Sequence, residues 1–278
     1  MRRVTIADIQ KMKNEHRPIT MVTVYDYSSA LIAEKAGIPT LLVGDSLAMV
    51  MHGHDTTVPL KVEEILLHAQ MVKRGSQQAL ILVDMPFMSY ATEQDAVNTA
   101  RLLMQEGGCQ ALKLEGGAEV VPVIRRLTEM GVPVMAHLGL TPQSQHQIGL
   151  RVQGRDEQAA RKLIRDALAV EKAGAFAILL EVIPAELAAL VSRLVSIPTI
   201  GIGAGVGCDG QVQVWHDVLG LFDGKSPRHA KRFAEIGAQM TEALEHYKAD
   251  VETRSFPTGA QSASMEAAVI ESLENEFG

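Results

Sequence analysis

The sequence predicts an α/β chain closed into one (β/α)8 TIM barrel, on three observations. Short apolar runs alternate with amphipathic stretches, eight such runs can be counted, and four of them end in an acidic residue. Alternation of this kind implies parallel strands joined by right-handed crossovers. Eight repeats favour closure over an open sheet, and a chain of 278 residues matches one barrel of about 250.

Taken in order, a short helix at 5–14 precedes the first strand and is placed to plug the barrel floor. Strands are expected at 20–24, 39–44, 79–84, 111–115, 133–137, 177–181, 198–202 and, more weakly, 212–215. Each is a short apolar run bounded by turn signals, the signature of a strand buried on both faces. Pro133 and Pro198 open two of them, where a missing N–H is tolerated. Helices are expected at 27–36, 61–74, 92–106, 118–129, 156–173, 185–195 and 229–248. In 61–74, Val62, Ile65, Leu66, Ala69 and Val72 share one face, while Glu63, Glu64, Lys73 and Arg74 fall off it. Thr92, followed by Glu93 and Asp95, reads as an N-cap with acids in the first turn. Gly107-Gly108, Gly131 and Gly174 follow helical stretches, where a left-handed cap is usual.

The loops 46–60 and 138–155 exceed what a barrel needs and are expected to work at its mouth. The barrel is assigned to 1–256 and a C-terminal tail to 257–278. Part of that tail can form helix, whereas Gly259 to Ser264 reads as mobile linker. A second domain is not expected.

Composition excludes several classes. Hydrophobic residues make up 47% and charged residues 21%, enough for a large core and too apolar for disorder. A net charge of -7 with no basic tract argues against binding a nucleic-acid backbone. No run approaches the roughly 20 apolar residues of a membrane helix, and the basic Met1-Arg2-Arg3 start is not followed by an apolar signal segment. Cys109 and Cys208 lie far apart and form no metal-type pair, so a reducing cytoplasm is the simplest compartment.

The chemistry is expected at the strand ends. Asp45, Asp84, Glu115 and Glu181 close the second, third, fourth and sixth strands, and the C-terminal face of a barrel is where active sites sit. One such acid is as readily a helix N-cap or an ion-pair partner. Several together repel unless a cation or a proton lies between them. Adjacent strands are about 4.8 Å apart, so Asp45, Asp84 and Glu115 are expected to converge on one ion. An all-carboxylate set suits Mg²⁺, with Mn²⁺ or Ca²⁺ as alternatives, and a 2-keto acid can chelate such an ion. Lys113 shares a strand face with Glu115. It is a core ion-pair residue, a ligand for an anion such as a substrate carboxylate, or a Schiff-base nucleophile, with the anion ligand favoured. Glu181, across the mouth, is a candidate general base or a salt-bridge partner of a loop arginine. His137 is a secondary candidate, as a donor to substrate or carboxylates or as a structural histidine. Gly201-Ile202-Gly203-Ala204-Gly205 follows the seventh strand. It fits close backbone approach to a ligand as well as tight packing, and fails as a dinucleotide fingerprint because Val206 occupies the sixth position.

A set of longer motifs spans nearly the whole chain. They are Tyr25-Asp26-Tyr27-Ser28, Val43-Gly44-Asp45-Ser46-Leu47, Gly53-His54-Asp55-Thr56-Thr57-Val58-Pro59, and Asp84-Met85-Pro86-Phe87-Met88-Ser89-Tyr90. They continue with Lys113-Leu114-Glu115-Gly116-Gly117, His137-Leu138-Gly139-Leu140-Thr141-Pro142-Gln143, Val152-Gln153-Gly154-Arg155, the 201–205 glycine stretch and Asp209-Gly210-Gln211-Val212. Through them the chain resembles the ketopantoate hydroxymethyltransferase family. Ala48, where a glycine is expected, and Ile148-Gly149-Leu150-Arg151 depart from the family pattern.

The resemblance implies a barrel of the phosphoenolpyruvate/isocitrate lyase type. It implies transfer of a hydroxymethyl group from 5,10-methylenetetrahydrofolate to 3-methyl-2-oxobutanoate, giving 2-dehydropantoate on the way to pantothenate and coenzyme A. Asp45, Asp84 and Glu115 are then the metal ligands, for one Mg²⁺ per subunit. Asp45, Ser46, Asp84, Lys113 and His137 make up the keto-acid site, and Glu181 is the proton acceptor. A cytoplasmic homodecamer built from pentameric rings is also implied. Two other readings stay open: a metal-dependent 2-keto-acid aldolase or lyase that needs no folate, and a non-catalytic oligomeric barrel, against which the three acids argue.

Overall fold

The computed structural model describes residues 2–222 and 227–278. Its eight parallel strands are β1 (Ile19–Thr23), β2 (Thr40–Val43), β3 (Leu80–Asp84), β4 (Ala111–Glu115), β5 (Val134–Gly139), β6 (Ala177–Glu181), β7 (Thr199–Ile202) and β8 (Gly210–Gln213). They pair in sequence order and close, β8 against β1, into a barrel. Seven strands lie where the sequence places them. The eighth is shifted from 212–215 to Gly210–Gln213. Closure brings Gly210 against Ile19, and a Cβ there would collide with the Ile19 carbonyl oxygen. A glycine in the sequence reads as loop, yet here it is what lets the last strand reach the first.

Helices follow in chain order: α1 (Ile6–Asn14), α2 (Tyr27–Lys35), α3 (Leu47–Val50), α4 (Val62–Gly75), α5 (Glu93–Arg101), α6 (Val121–Glu129), α7 (Gln145–Ile148), α8 (Glu157–Lys172), α9 (Ala185–Leu194), α10 (Trp215–Leu219), α11 (Ile236–Glu252) and α12 (Ala267–Phe277). Side-chain caps set several starts: Thr5 for α1, Asp26 for α2, Thr92 for α5 and Asp156 for α8. The stretch expected at 92–106 begins as α5 and widens into a π-helical segment at Leu102–Glu106. The helix expected at 229–248 forms later, as α11, after Glu235, which makes no side-chain cap. The residues ending the strand expected at 212–215 instead begin α10, because the Trp215 N–H leaves the ladder for Thr23 Oγ1 at 3.0 Å. In the tail, Thr258 and Gln261 form a capping box over a 3-10 turn at Gly259–Gln261, within the stretch read as linker.

Contacts divide the chain into one unit holding Met1–Val218 and Lys225–Arg232 and another holding Leu219–Gly224 and Phe233–Gly278. In the first, the strands alternate strictly. Ile19, Met21, Leu42, Leu80, Leu82, Ala111, Met135, Ala177, Leu179, Ile200, Ile202 and Val212 fill the barrel interior. Ile9 of α1 joins that cluster, with Val4, Ile6 and Met12 against it, so α1 plugs the floor. The opposite faces of the strands, such as Leu41, Val43, Ile81, Val83, Leu112 and Leu114, pack outward under the helices. In the second unit, neither α11 nor α12 buries a residue.

One surface carboxylate fastens the barrel's outer layer. Glu34 of α2 accepts from Ser76 Oγ and from the N–H groups of Gln77, Gln78 and Ala79 at 2.5–3.2 Å, holding the turn that enters β3. Burial raises the Glu34 carboxyl, but these donors dominate and hold it down at about 2, below its ordinary 4.5. A depressed acid stabilises the fold above its unfolded value and loses that contribution as pH falls through the folded one. Glu34→Ala is therefore expected to cost about 2 kcal/mol at neutral pH. The gap to the parent should shrink as pH falls from about 4.5 towards 2, as read by urea unfolding at each pH.

Candidate active site

The period-2 alternation that fills the barrel with apolar layers also places its polar ones. Two residues beyond Leu82, the inward position of β3 is Asp84. Beyond Ala111 come Lys113 and then Glu115, beyond Met135 comes His137, and beyond Leu179 comes Glu181. The mouth is thus one more layer of the same stack, built from charged side chains. Asp45, Asp84, Lys113, Glu115 and His137 are each no more than 5% exposed, so their partners decide their charge states.

Register pairs Asp84 with Lys113, and Lys113 Nζ donates to Asp84 Oδ1 at 2.7 Å. The Asp45 N–H, in the turn after β2, donates to Asp84 Oδ2 at 2.9 Å. Burial pushes the Asp84 carboxyl above the ordinary carboxylate range, against the pull of Lys113. Burial opposes the charge on Lys113, but Asp84, Asp45 and Glu115 outweigh it and keep the ammonium above its ordinary value. Lys113 is thus one half of a buried ion pair with Asp84.

His137 lies between two acids. Its Nδ1 is 3.4 Å from Glu115 Oε1 and its Nε2 is 3.3 Å from Glu181 Oε2. These are ion-pair distances without hydrogen-bond alignment, so Glu115 Oε1 is buried with no hydrogen-bond donor. Burial and the Lys113 charge both lower the imidazolium, yet the two flanking carboxylates raise it to about 9.

Glu181 is fixed by strained backbone. Val182, which follows it, has φ 47, an outlier for a β-branched residue that costs about 1–3 kcal/mol. On the neighbouring strand, Gly139 has φ +97, and a Cβ there would collide with the Glu181 carbonyl oxygen. That carbonyl accepts from the Leu140 N–H.

Two residues given no role by the sequence complete the cluster. Gln143, in the 3-10 turn Pro142–Ser144 of the long 138–155 loop, is 4% exposed. Its Nε2 donates to Asp45 Oδ2 at 2.8 Å and to the Met85 carbonyl at 3.0 Å. Its backbone N–H donates to Glu115 Oε2 at 3.0 Å. Its Oε1 accepts from the Tyr90 hydroxyl at 2.7 Å. One loop residue thus steadies two of the three candidate ligands. Groups behind a metal or substrate site typically matter 10–100-fold. Gln143→Leu, close in size, is expected to lower kcat/KM by about that factor, and steady-state rates equal to the parent's would remove Gln143 from the site.

The structure links Asp45, Asp84, Lys113, Glu115, His137 and Glu181 in one network, with Ser46 next to Asp45 in the turn after β2. Among the described residues, however, no three His, Cys, Asp or Glu side chains are arranged to ligate one ion outright. Asp84 gives both oxygens to Lys113 and the Asp45 N–H, and Gln143 engages one oxygen each of Asp45 and Glu115. The cluster nevertheless has the chemistry of a cation site. Four acids face one lysine and one histidine, and Glu115 Oε1 has no donor. Carboxylate donors of this kind fit Mg²⁺, which binds through one or two carboxylates and keeps waters or substrate oxygens.

Fold and mouth together define a barrel with a buried, acid-rich site at its C-terminal face. Comparison with known proteins narrows this. The family model described as ketopantoate hydroxymethyltransferase matches residues 3–259. A protein of Gluconacetobacter diazotrophicus named 3-methyl-2-oxobutanoate hydroxymethyltransferase is 60% identical over 263 residues, 95% of each chain. One of the same name from Chloroflexus aggregans is 53% identical over 276 residues, covering 98% of this chain and 99% of its own. The chain belongs to the ketopantoate hydroxymethyltransferase family.

Solved structures with a similar fold include phosphonopyruvate hydrolase in complex with oxalate and Mg²⁺. Its TM-score is 0.62 at 12% identity, over 98% of this chain and 95% of that one. Another is 2,3-dimethylmalate lyase, a member of the PEP mutase/isocitrate lyase superfamily. Its TM-score is 0.55 at 16% identity, over 98% and 97%. They share this chain's barrel fold.

Proposed function

We infer that this chain transfers a hydroxymethyl group from 5,10-methylenetetrahydrofolate to 3-methyl-2-oxobutanoate, yielding 2-dehydropantoate for pantothenate synthesis. The observation that carries it is family membership over 3–259, joined to a mouth in which Lys113, Asp84, Glu115, His137 and Glu181 sit side by side. In this reading Asp45, Asp84 and Glu115 hold Mg²⁺, one per subunit. The bound ion polarises the keto oxygen and stabilises negative charge as it develops there.

The protein groups supply the rest. Lys113 and the Ser46 hydroxyl bind the substrate's anionic oxygens, the lysine as a fixed charge held by Asp84. Glu181 removes the C3 proton. Protonated His137, between Glu115 and Glu181, keeps the accepting carboxylate oriented and shields it from its acidic neighbour. The C3 carbanion equivalent then attacks the one-carbon unit of the folate, and water completes the hydroxymethyl group as tetrahydrofolate leaves. The test is product formation by the purified chain with Mg²⁺ and keto acid, with and without the folate. Product that requires the folate supports the transferase, while carbon–carbon cleavage or condensation without it supports the aldolase or lyase.

A homo-oligomer, decameric as in the family pattern, also belongs to this reading, and one surface supports it. Along α11, Met240, Leu244, Tyr247 and Val251 are 55%, 65%, 56% and 45% exposed. Their spacing of four, three and four puts them on one stripe. Such a stripe is costly in water and marks an association surface. Leu244→Asp is expected to shift the sedimentation coefficient towards a smaller species, and an unchanged coefficient would detach α11 from assembly. The two free cysteines accord with a cytoplasmic setting, and no described helix is long and apolar enough to cross a membrane.

A further inference from the structure

Behind Ser46 runs a chain of hydroxyls joined by short hydrogen bonds. The Trp215 backbone N–H can only donate, and it donates to Thr23 Oγ1 at 3.0 Å. The Thr23 hydroxyl in turn donates to the Tyr25 hydroxyl oxygen at 2.7 Å. Tyr25 Oη is 2.9 Å from Ser46 Oγ. Either hydroxyl of that last pair can supply the proton, and in both cases the bond ties the Ser46 side chain to Tyr25.

The relay is rigid and dry. Tyr25 is 1% exposed and Thr23 4%. The Tyr25 N–H donates to Ser29 Oγ at 3.2 Å, its carbonyl accepts from His68 Nδ1, and its ring lies 5.6 Å from that of His216. Burial, with the nearby Asp45 and Asp84 charges, raises the Tyr25 phenol above its ordinary value, against its hydrogen bonds with Thr23 and Ser46. Ser46, at the half-buried inner end of the mouth loop, is the one link that meets the site.

We propose that Tyr25 is a positioning residue that holds the Ser46 hydroxyl at one place in the mouth, where it meets an anionic or carbonyl oxygen of the keto acid. This rests on the proposed contact between Ser46 and the keto acid. A serine free to rotate is spread over its staggered rotamers, whereas one tied to a buried Tyr25 hydroxyl keeps its oxygen in a single position. Because Tyr25 acts only through Ser46, its effect must vanish when Ser46 is removed.

The test is calorimetric titration of 3-methyl-2-oxobutanoate, at fixed Mg²⁺, into the parent, Tyr25→Phe, Ser46→Ala and the double variant. Ser46→Ala is expected to weaken binding roughly ten- to hundredfold, as for a hydrogen bond to a charged group. Tyr25→Phe should weaken it about three- to tenfold, with KM for the keto acid raised and kcat nearly kept. The double variant should bind no worse than Ser46→Ala alone, the mark of residues acting in series. Thr23→Val, which breaks the relay one link earlier, should repeat the Tyr25→Phe result and guards against an effect peculiar to the ring. Parent-like binding by both Tyr25→Phe and Thr23→Val overturns the proposal. So does a Tyr25→Phe penalty that persists undiminished in the Ser46→Ala background. If Ser46→Ala itself binds like the parent, the Ser46 contact of the proposed function fails and the relay's role falls with it.

Discussion

Replacing Asp84 by alanine is expected to abolish turnover and to weaken the fold together. Asp84 accepts from Lys113 Nζ and from the Asp45 N–H at 2% exposure. Its removal leaves a buried ammonium without its nearest counter-charge, a change that costs about 3–5 kcal/mol. It also removes one of three carboxylates assigned to the metal. Loss of a preorganised electrostatic group at a reacting oxygen typically costs on the order of 10²–10³-fold, and kcat/KM should fall at least that far. Asp84→Asn separates the two effects. It keeps the shape and one acceptor for Lys113, so stability should largely return while activity does not. High Mg²⁺ should partly rescue Asp84→Ala. Undiminished parent activity in excess chelator would remove the metal from the account.

The second large effect is expected at Glu181. A base that removes the C3 proton should exchange it with solvent deuterium when Mg²⁺ and 3-methyl-2-oxobutanoate are present and folate is not. Glu181→Gln preserves shape and the neighbour His137, 3.3 Å away, but removes basicity. Positioned general bases contribute about 10²–10⁴-fold, and exchange measured by NMR should drop by that factor with keto-acid affinity nearly unchanged. Lost affinity would make Glu181 a substrate-positioning residue. Unchanged exchange would pass the role to another group, His137 first.

What the sequence disclosed was whatever repeats. The alternation that sets Leu80 and Leu82 inward also sets Asp84, and Ala111 leads to Lys113 and Glu115 in the same way. Strand-end acids and the shared face of Lys113 and Glu115 were therefore legible from periodicity alone. Gln143 and Tyr90 were not, because both lie in loops where no period says which way a side chain turns. The hydroxyl relay through Tyr25 was hidden for a related reason. It joins β1, the Asp45-Ser46 turn and the start of α10, and its Thr23–Trp215 link alone spans 192 positions.

The partners of the three candidate metal ligands were not legible. Strand spacing brings Asp45, Asp84 and Glu115 to one mouth, but Lys113 and Gln143 already engage their oxygens, and side-chain partners of that kind are invisible to a spacing rule. The eighth strand was placed two residues late, because Gly210 has no side chain to show the alternation at the point where closure of the barrel demands a residue without one. The late start of α11 was missed because no capping residue marks it.

The central claim is that the acid cluster and Lys113 form a single site for a divalent cation and a 2-keto acid. Calorimetry tests it most directly, with 3-methyl-2-oxobutanoate titrated into the protein in Mg²⁺ and again in chelator. Binding at one site per chain that strengthens at least tenfold with Mg²⁺, about 1.4 kcal/mol of coupling, and is lost in Lys113→Ala is the predicted result. Keto-acid binding that is equal with and without Mg²⁺, and indifferent to Lys113→Ala, would contradict it.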